Sequence, residues 1–230
     1  MAKEITAQQV FELLPRRKAD SHKGSYGKVM CLAGSARFRG AAALAAEGAL
    51  RAGAGLVTLA AVEPVIAAVA ARCPECVFLP CRQSAGGGVS AQNGKAVLEK
   101  VRGMDVLLFG PGLGDTDDTA ALLEQLGPSA GCALVLDADG LNAAAKMDAL
   151  PRSPGLPLIL TPHPGEMARL CGLTTAEVNA GREGIAAGYA RAEDCVVVLK
   201  GHRTIVAGPD GEVFVNPTGN PGLSRGGSGD

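Results

Sequence analysis

The chain has 230 residues, and its 22 basic and 23 acidic side chains give a formal net charge of −1. This length suits one large α/β domain, or at most two small ones, and the hydrophobic share of 47% excludes a disordered chain. The near-neutral charge disfavours a dedicated nucleic-acid binder. No apolar run predicts a transmembrane helix or a signal peptide. The seven cysteines are an odd number, so we interpret them as reduced thiols of a cytoplasmic protein.

Short β-rich runs alternate with helical stretches along the chain, which predicts an α/β fold with a mostly parallel sheet covered by helices on both faces. The predicted strands are 28–33, 56–61, 77–79, 106–109, 133–136, 158–160, 196–199, 204–207 and 213–215. The predicted helices are 40–52, 64–71, 93–101, 116–126 and 182–192. We expect Asn93 to cap its helix, residues 84–90 to form a loop, and the last two strands to form a β-hairpin.

Glycine clusters follow several predicted strands, at the sheet edge where ligands of such folds bind. Residues 34–42 could direct backbone N–H groups at a ligand, or could form an ordinary strand–helix loop. The segment Gly110-Pro111-Gly112-Leu113-Gly114 would let the backbone approach a ligand without obstruction by Cβ atoms. Neither segment is a GxGxxG dinucleotide fingerprint.

Polar side chains at other strand ends have two interpretations each. Asp137 and Asp139 could bind Mg²⁺, or could cap the short helix near Leu141. His163 lies between two prolines, which suits a structural turn or a functional side chain equally. Cys73 and Cys76 have CxxC spacing, but no second ligand pair completes a zinc site, and we interpret them as buried structural thiols.

The end of the sequence carries the strongest signal of chemistry. The order NPTGNPG from Asn216 leads to Gly226-Gly227-Ser228-Gly229-Asp230. Consecutive glycines form backbone concavities that bind phosphate, and a neighbouring aspartate could accept a proton from a hydroxyl. A flexible glycine-rich tail would explain the glycines but not the preceding order of residues. The Walker pattern of P-loop enzymes is absent from the sequence.

Taken together, these residues resemble the ADP/ATP-dependent NAD(P)H-hydrate dehydratase family of the ribokinase-like superfamily, in the family's own order and over nearly the whole chain. The matching segments are HKGSYGKV from His22, AGSARFRGAAALAAEGALRAGAGLVT from Ala33, GPGLG from Gly110, LDADGLN from Leu136, LTPHPGEMARL from Leu160, VVLKGHRT from Val197 and NPTGNPGLSRGGSGD from Asn216. The resemblance implies a three-layer α/β/α fold. It also implies an enzyme that dehydrates damaged, hydrated NADH or NADPH, using ADP or ATP as co-substrate with Mg²⁺.

The resemblance also implies roles for individual residues. Asp230 would be the catalytic base and would contact the substrate. The other substrate contacts would be Ala41, Gly112, Gly114 and His163. The nucleotide contacts would be Lys200, Gly201, His202, Arg203, Thr204, Gly226, Gly227, Ser228 and Gly229. The metal ligands cannot be assigned. The resemblance also implies a homo-oligomer, often a tetramer, that could be fused to or work with an NAD(P)H-hydrate epimerase, and we expect no nucleic-acid or membrane partners.

The sequence departs from the family pattern at a few positions. Ala33 and Phe38 stand where the family often has Gly and Tyr, and Leu223-Ser224-Arg225 replaces a more usual Met-Ala-Thr or Met-Ala-Lys. The family continues past GxGD into further helices, so we expect a single domain over residues 1–230 without its C-terminal helices, and the activity of this chain stays open. Two alternatives remain: a small-molecule kinase of the thiamine-precursor type, and an inactive nucleotide-binding fragment. The TPHPGE and NPTGNPG segments favour the dehydratase.

Overall fold

A computed structural model of the chain describes residues 2–227, which form two compact units. The central unit comprises residues 23–158, and the flanking unit comprises residues 2–22 and 159–227. The strands are β1 (Lys3–Glu4), β2 (Lys28–Leu32), β3 (Leu56–Val62), β4 (Val77–Cys81), β5 (Val106–Phe109), β6 (Ala133–Leu136), β7 (Leu158–Leu160), β8 (Val196–Leu199), β9 (Thr204–Ala207) and β10 (Val213–Asn216). The helices are α1 (Ala7–Leu13), α2 (Arg39–Arg51), α3 (Glu63–Ala70), α4 (Gly94–Val101), α5 (Asp117–Leu126), α6 (Asp139–Ala144), α7 (Pro164–Cys171), α8 (Thr175–Ala180) and α9 (Arg182–Ala192).

The central unit contains parallel strands in the order β6-β5-β2-β3-β4. These strands are apolar without strict alternation and lie in the core, as strands covered on both faces do. β4 pairs with β3 and runs two residues further than predicted, through Pro80. Proline is tolerated there because an edge strand leaves one side of its backbone unpaired. Residues 84–90 form a loop, and an antiparallel bridge between Gln83 and Val89 closes it.

Helix α2 packs through small side chains. Ala42, Ala45 and Ala46 are buried, so the helix backbone approaches its neighbours closely. This close packing brings the start of α2, at Arg39, against the loop that follows β5. The alanine-rich composition of α2 therefore allows the helix to contact the loop after β5, which is a predicted ligand-binding segment.

The flanking unit contains a mixed set of strands in the order β1-β10-β9-β8-β7. β7 and β8 are parallel, β8 and β9 are antiparallel, and β10 pairs antiparallel with β9 and parallel with β1. The predicted β9–β10 hairpin is confirmed. Elements β1, α1, α7 and α8 were not predicted from the sequence.

Most predicted elements are present with ends shifted by one or two residues, and the α/β class with mostly parallel strands is confirmed. Asn93 occupies the N-cap position of α4, as predicted, but its side chain makes no capping hydrogen bond. Its amide instead binds Arg82, accepting from the backbone N–H at 2.8 Å and donating to the carbonyl at 3.0 Å. Ser90 caps the short 3₁₀ turn that precedes α4. Across residues 2–227, no helix combines the length and the apolarity that a membrane span requires.

Candidate functional site

The loop from Gly110 to Gly114 follows β5 and has a backbone that only glycine permits at its first position. Gly110 has φ +124°, and a Cβ atom built there would lie 2.0 Å from the Asp137 carbonyl oxygen and 2.4 Å from the Gly140 nitrogen. Gly112 has φ +67°, and its Cβ would lie 2.9 Å from the Ala41 Cβ. The predicted substrate residues Ala41 and Gly112 are therefore in direct contact.

Hydrogen bonds from three directions hold this loop. The Gly34 N–H donates to the Pro111 carbonyl at 2.7 Å. The Gly114 N–H donates to Oδ2 of Asp139 at 2.8 Å, and the Thr119 hydroxyl donates to the Gly114 carbonyl at 2.7 Å. A loop bound in this way by the segment after β2, by α5 and by α6 has its shape fixed before any ligand arrives.

The capping interpretation is wrong for Asp139. The N-cap of α6 is Ala138, at φ 49°, and it makes no side-chain cap hydrogen bond. The Asp139 carboxylate binds the Gly114 amide instead, so its role is to hold the glycine loop. Within residues 2–227, no group of three or more His, Cys, Asp or Glu side chains is placed to bind a metal ion.

His163 is the N-cap of α7, which begins at Pro164. Its Nδ1 accepts hydrogen bonds from the N–H groups of Gly165, at 2.9 Å, and Glu166, at 3.3 Å. Nδ1 as an acceptor places the proton on Nε2, which lies 3.2 Å from Oε1 of Glu166. The Glu166 carboxylate also accepts from the His163 backbone N–H at 2.8 Å, which completes a capping box.

This capping role does not bury the imidazole. The His163 side chain is 51% exposed, whereas the Glu166 side chain is 7% exposed. The structural interpretation of His163 is therefore correct in part, and the exposed half of the ring remains accessible to a ligand.

The segment from Lys200 to Thr204 connects β8 to β9. The Lys200 N–H donates to the Pro162 carbonyl at 2.8 Å, which places this segment beside His163. Gly201 has φ +142°, and the Thr204 hydroxyl donates to its carbonyl at 3.0 Å. Arg203 has φ 56° and extends its guanidinium to Glu4, with Nη2 2.7 Å from Oε1.

The backbone N–H groups in the middle of this segment are available to a ligand. Those of Gly201, His202 and Arg203 donate to no partner among residues 2–227, and all three residues are exposed. Unpaired amides in a turn that combines positive φ values are the kind of concavity that binds anions.

The side chain of Arg182, at the start of α9, supports this segment, and the sequence analysis did not identify it. Its Nη1 donates to the His202 carbonyl at 2.6 Å, and its Nη2 lies 3.1 Å from the Leu199 carbonyl and 3.3 Å from the Lys200 carbonyl. Partial burial lowers the pKa of the Arg182 guanidinium. No motif marks this residue, because its partners lie 17 to 20 positions away.

The C-terminal segment is described through Gly227. Asn220 caps a single 3₁₀ turn at Pro221–Leu223, accepting from the Gly222 N–H at 2.9 Å. Gly226 and Gly227 are exposed, and Gly227 has φ 78°. The remaining predicted nucleotide residues, Ser228 and Gly229, and the predicted base, Asp230, lie outside the described residues.

The CxxC pair is buried and forms no disulfide, as the structural interpretation predicts. Cys73 and Cys76 are free thiols that lie in the core, and Cys31 is a third buried thiol. Burial raises the pKa of Cys76 to about 11, so at neutral pH it stays protonated and poorly nucleophilic.

The predicted site residues thus fall into two sets. Ala41, Gly112 and Gly114 belong to the central unit, whereas His163 and residues 200–204 belong to the flanking unit.

A scan against protein families matches residues 29–230 to the family described as NAD(P)H-hydrate dehydratase. Among curated proteins, the bifunctional NAD(P)H-hydrate repair enzyme Nnr of Moorella thermoacetica is 45% identical over 226 residues, which are 98% of this chain and 43% of that protein. The chain therefore spans less than half the length of this bifunctional relative.

Two solved structures resemble the whole chain. The ADP/ATP-dependent NAD(P)H-hydrate dehydratase of Bacillus subtilis, co-crystallised with ATP and Mg²⁺, is 34% identical with a TM-score of 0.82, over 98% of this chain and 76% of that one. A ribokinase-like superfamily protein of Enterococcus faecalis is 26% identical with a TM-score of 0.80, over 99% of this chain and 76% of that one. These likenesses confirm the predicted ribokinase-like fold class.

Proposed function

This chain belongs to the NAD(P)H-hydrate dehydratase family, and we propose on that premise that it returns hydrated NADH or NADPH to NADH or NADPH while consuming ADP or ATP. The observation that carries the proposal is the likeness to the B. subtilis dehydratase, which extends over 98% of this chain. In this proposal the two site sets would supply the corresponding chemistry, one through a glycine loop and the other through unpaired amides.

Phosphoryl transfer explains why a dehydration needs a nucleotide. Hydroxide is a poor leaving group, whereas phosphate is a good one. In the proposed reaction, the substrate hydroxyl oxygen attacks the terminal phosphorus of ADP, and AMP leaves. The phosphorylated ring then loses phosphate and a proton from the adjacent carbon, so the ring double bond forms again. The products are NADH, AMP and phosphate.

The nucleotide half of the proposed site is the segment from Lys200 to Thr204. Its unpaired N–H groups at Gly201, His202 and Arg203 suit an anionic or carbonyl-bearing ligand. Gly226 to Gly229 would bind the transferred phosphoryl group through their amides. Asp230 would accept the proton of the substrate hydroxyl as that oxygen attacks.

The substrate half of the proposed site is the Gly110–Gly114 loop with Ala41. Because Gly112 lacks a Cβ, the loop packs directly on α2, and its backbone can approach a flat ring closely. In the flanking unit, the exposed half of the His163 imidazole would be available to bind substrate. We assign binding and orientation to these groups, and no proton transfer.

The proposal places Mg²⁺ with the nucleotide. Among residues 2–227 no group of three or more His, Cys, Asp or Glu side chains is placed to bind an ion, so we assign no residue of the chain as a metal ligand. No step of the proposed reaction therefore passes through one. We further propose that residues 1–230 act as one domain in a cytoplasmic homo-oligomer, a tetramer in the family pattern, and that an epimerase supplies the reactive epimer of the substrate.

A product assay tests the proposal. The chain is mixed with hydrated NADH, Mg²⁺ and either ADP or ATP, and the absorbance of reduced nicotinamide is followed while nucleotides are separated chromatographically. The expected result is recovery of NADH with one AMP and one phosphate per ADP consumed. A stable phosphorylated alcohol would indicate a kinase instead, and ADP binding without turnover would indicate an inactive nucleotide-binding fragment.

The variant Asp230→Asn tests the proposed base. We expect turnover to fall by about 100-fold or more, because general base catalysis contributes on the order of 10²–10⁴. The affinity for ADP should be unchanged, because the amide side chain keeps the shape of the site. Unchanged turnover would remove Asp230 from the mechanism.

A further inference from the structure

Arg182 is the side chain that joins α9 to the proposed nucleotide segment. Its guanidinium binds carbonyl oxygens on both sides of Gly201, those of Leu199 and Lys200 before it and that of His202 after it. Within the segment, the Thr204 hydroxyl also donates to the Gly201 carbonyl at 3.0 Å. A single guanidinium therefore fixes the direction of the peptide groups from the end of β8 through the turn.

The direction of a carbonyl determines the direction of the next amide, because the peptide unit is planar. With the Leu199, Lys200 and His202 carbonyls turned towards Arg182, the amides of the same peptide units turn away from it. Those of Gly201 and Arg203 are two of the N–H groups that have no partner among residues 2–227. The contacts of Arg182 thus account for amides that are left free for a ligand.

The arrangement favours arginine over lysine. A planar guanidinium presents several donors in a fixed fork, whereas an ammonium is a compact point charge. Gly201 also lies close enough that a Cβ added there would be 3.0 Å from Nη2, so the segment wraps around the guanidinium. Arg182 Nε is buried without a hydrogen-bond partner in the described part of the chain. Such an incompletely paired donor is costly for stability, which favours a functional reason for its retention.

A cavity of about 510 Å³ lies beside this segment and is lined by Arg182, His202, Arg203 and the turn between α8 and α9. The cavity thus borders both Arg182 and two of the residues that carry free amides. Fixing the amides in advance would remove the entropic cost of ordering them when a ligand binds.

We propose that Arg182 is a positioning residue of the nucleotide site: it holds the peptide groups of residues 199–203 so that their free amides face the nucleoside diphosphate. The inference rests on the proposed function. It adds Arg182, which lies outside the KGHRT motif, to the proposed nucleotide site. It also gives a physical basis for nucleotide affinity.

The test compares Arg182→Met and Arg182→Lys with the matched control Arg191→Met in the full chain. Arg191 lies on the same helix, is exposed, and packs against Gly211 in the β9–β10 turn instead of the nucleotide segment. Each protein is titrated calorimetrically with ADP, and ¹⁵N relaxation gives the backbone order parameters of Gly201, His202 and Arg203. The relaxation measurement reports the mobility of the segment whether or not ADP binds.

We expect Arg182→Met to lower all three order parameters and to weaken ADP binding by about tenfold or more, since several hydrogen bonds to a charged group are lost together. Arg182→Lys should restore part of the affinity, and Arg191→Met should match the unmodified protein in both measurements. In turnover, the KM for ADP should rise while the KM for hydrated NADH and the kcat stay nearly unchanged.

The other possible outcomes distinguish the positioning role of Arg182 from the proposed function of the chain. Unchanged order parameters in folded Arg182→Met would overturn the positioning role. A loosened segment with undiminished ADP affinity would overturn its link to the nucleotide. Absence of ADP binding in the unmodified chain would contradict the proposed function and also the nucleotide part of this inference, while the order parameters would still decide whether Arg182 fixes the segment.

Discussion

The two glycine-containing loops of the candidate site are held in place by different means. The Gly110–Gly114 loop is fixed by backbone packing, because its first glycine touches the backbone of Asp137 and Gly140, and by hydrogen bonds from three elements. The Lys200–Thr204 segment is exposed at its centre and depends on one long side chain, Arg182.

This difference separates two ways of building a binding surface. A loop locked by backbone contacts cannot change shape without disturbing the core, so substitutions there should reduce stability first. A segment oriented by one side chain can loosen while the rest of the unit stays folded, so substitutions there should reduce ligand affinity first. Substitutions in each loop can therefore distinguish a loss of stability from a loss of ligand affinity.

The largest expected effect is that of Gly110→Ala. Its Cβ would lie 2.0 Å from the Asp137 carbonyl oxygen, and φ +124° disfavours any side chain. We expect a loss of about 4 kcal/mol or more in the free energy of unfolding, the range in which single substitutions are exceptional. Urea denaturation followed by circular dichroism measures it.

The matched control for this substitution is Gly48→Ala, in the exposed part of α2, where an added Cβ meets nothing within 4 Å. It should stabilise the protein by about 0.5–1 kcal/mol, because alanine is the better helix former. If Gly110→Ala were as stable as this control, the description of a sterically locked loop would be wrong.

Gly201→Ala should lower the free energy of unfolding less than Gly110→Ala does, although the φ of +142° at Gly201 is equally unusual for an L-residue. The atom nearest the added Cβ, at 3.0 Å, is the end of the Arg182 side chain, which can shift. We expect a loss of about 1–3 kcal/mol from backbone strain. ADP affinity should fall together with it, since the displaced guanidinium no longer orients the segment. A stability loss equal to that of Gly110→Ala would remove the contrast between the two loops.

Asp139 tests the hydrogen bonds of the locked loop separately from its packing. Asp139→Ala leaves the Gly114 N–H without its acceptor, which should cost about 1–3 kcal/mol. Asp139→Asn keeps a carbonyl oxygen for that amide and should recover most of the loss. The denaturation midpoints of the two variants are compared. Equal losses of stability in both would mean that the negative charge of Asp139 contributes more than its role as a hydrogen-bond acceptor.

His163 gives the smallest expected change in stability and separates its cap from its proposed contact with substrate. His163→Ala should cost about 1 kcal/mol through the lost N-cap, whereas His163→Asn should retain most of that stability because asparagine caps helices well. Both variants should raise the KM for hydrated NADH. If His163→Asn restored the KM as well as the stability, the histidine would act only through the helix.

Much of the site's local structure could be predicted from the sequence. The strand–glycine–helix order located β5 and the loop after it, and the motif order identified the family. Helix α8 was missed although Thr174-x-x-Glu177 is a capping-box pattern, and the structure contains that box. The same is true of α7, where a histidine in place of the usual Ser or Thr concealed the box formed with Glu166.

By itself, the sequence determined the α/β alternation, the positions where glycine is required, and the membership of the family, because each is encoded by residues that are neighbours along the chain. Only the tertiary structure decided that Asp139 serves the Gly114 amide, 25 positions away, and that Arg182 orients carbonyls 17 to 20 positions away. The physical reason is that a hydrogen bond depends on distance and angle, and for residues this far apart both are set by the packing of strands and helices.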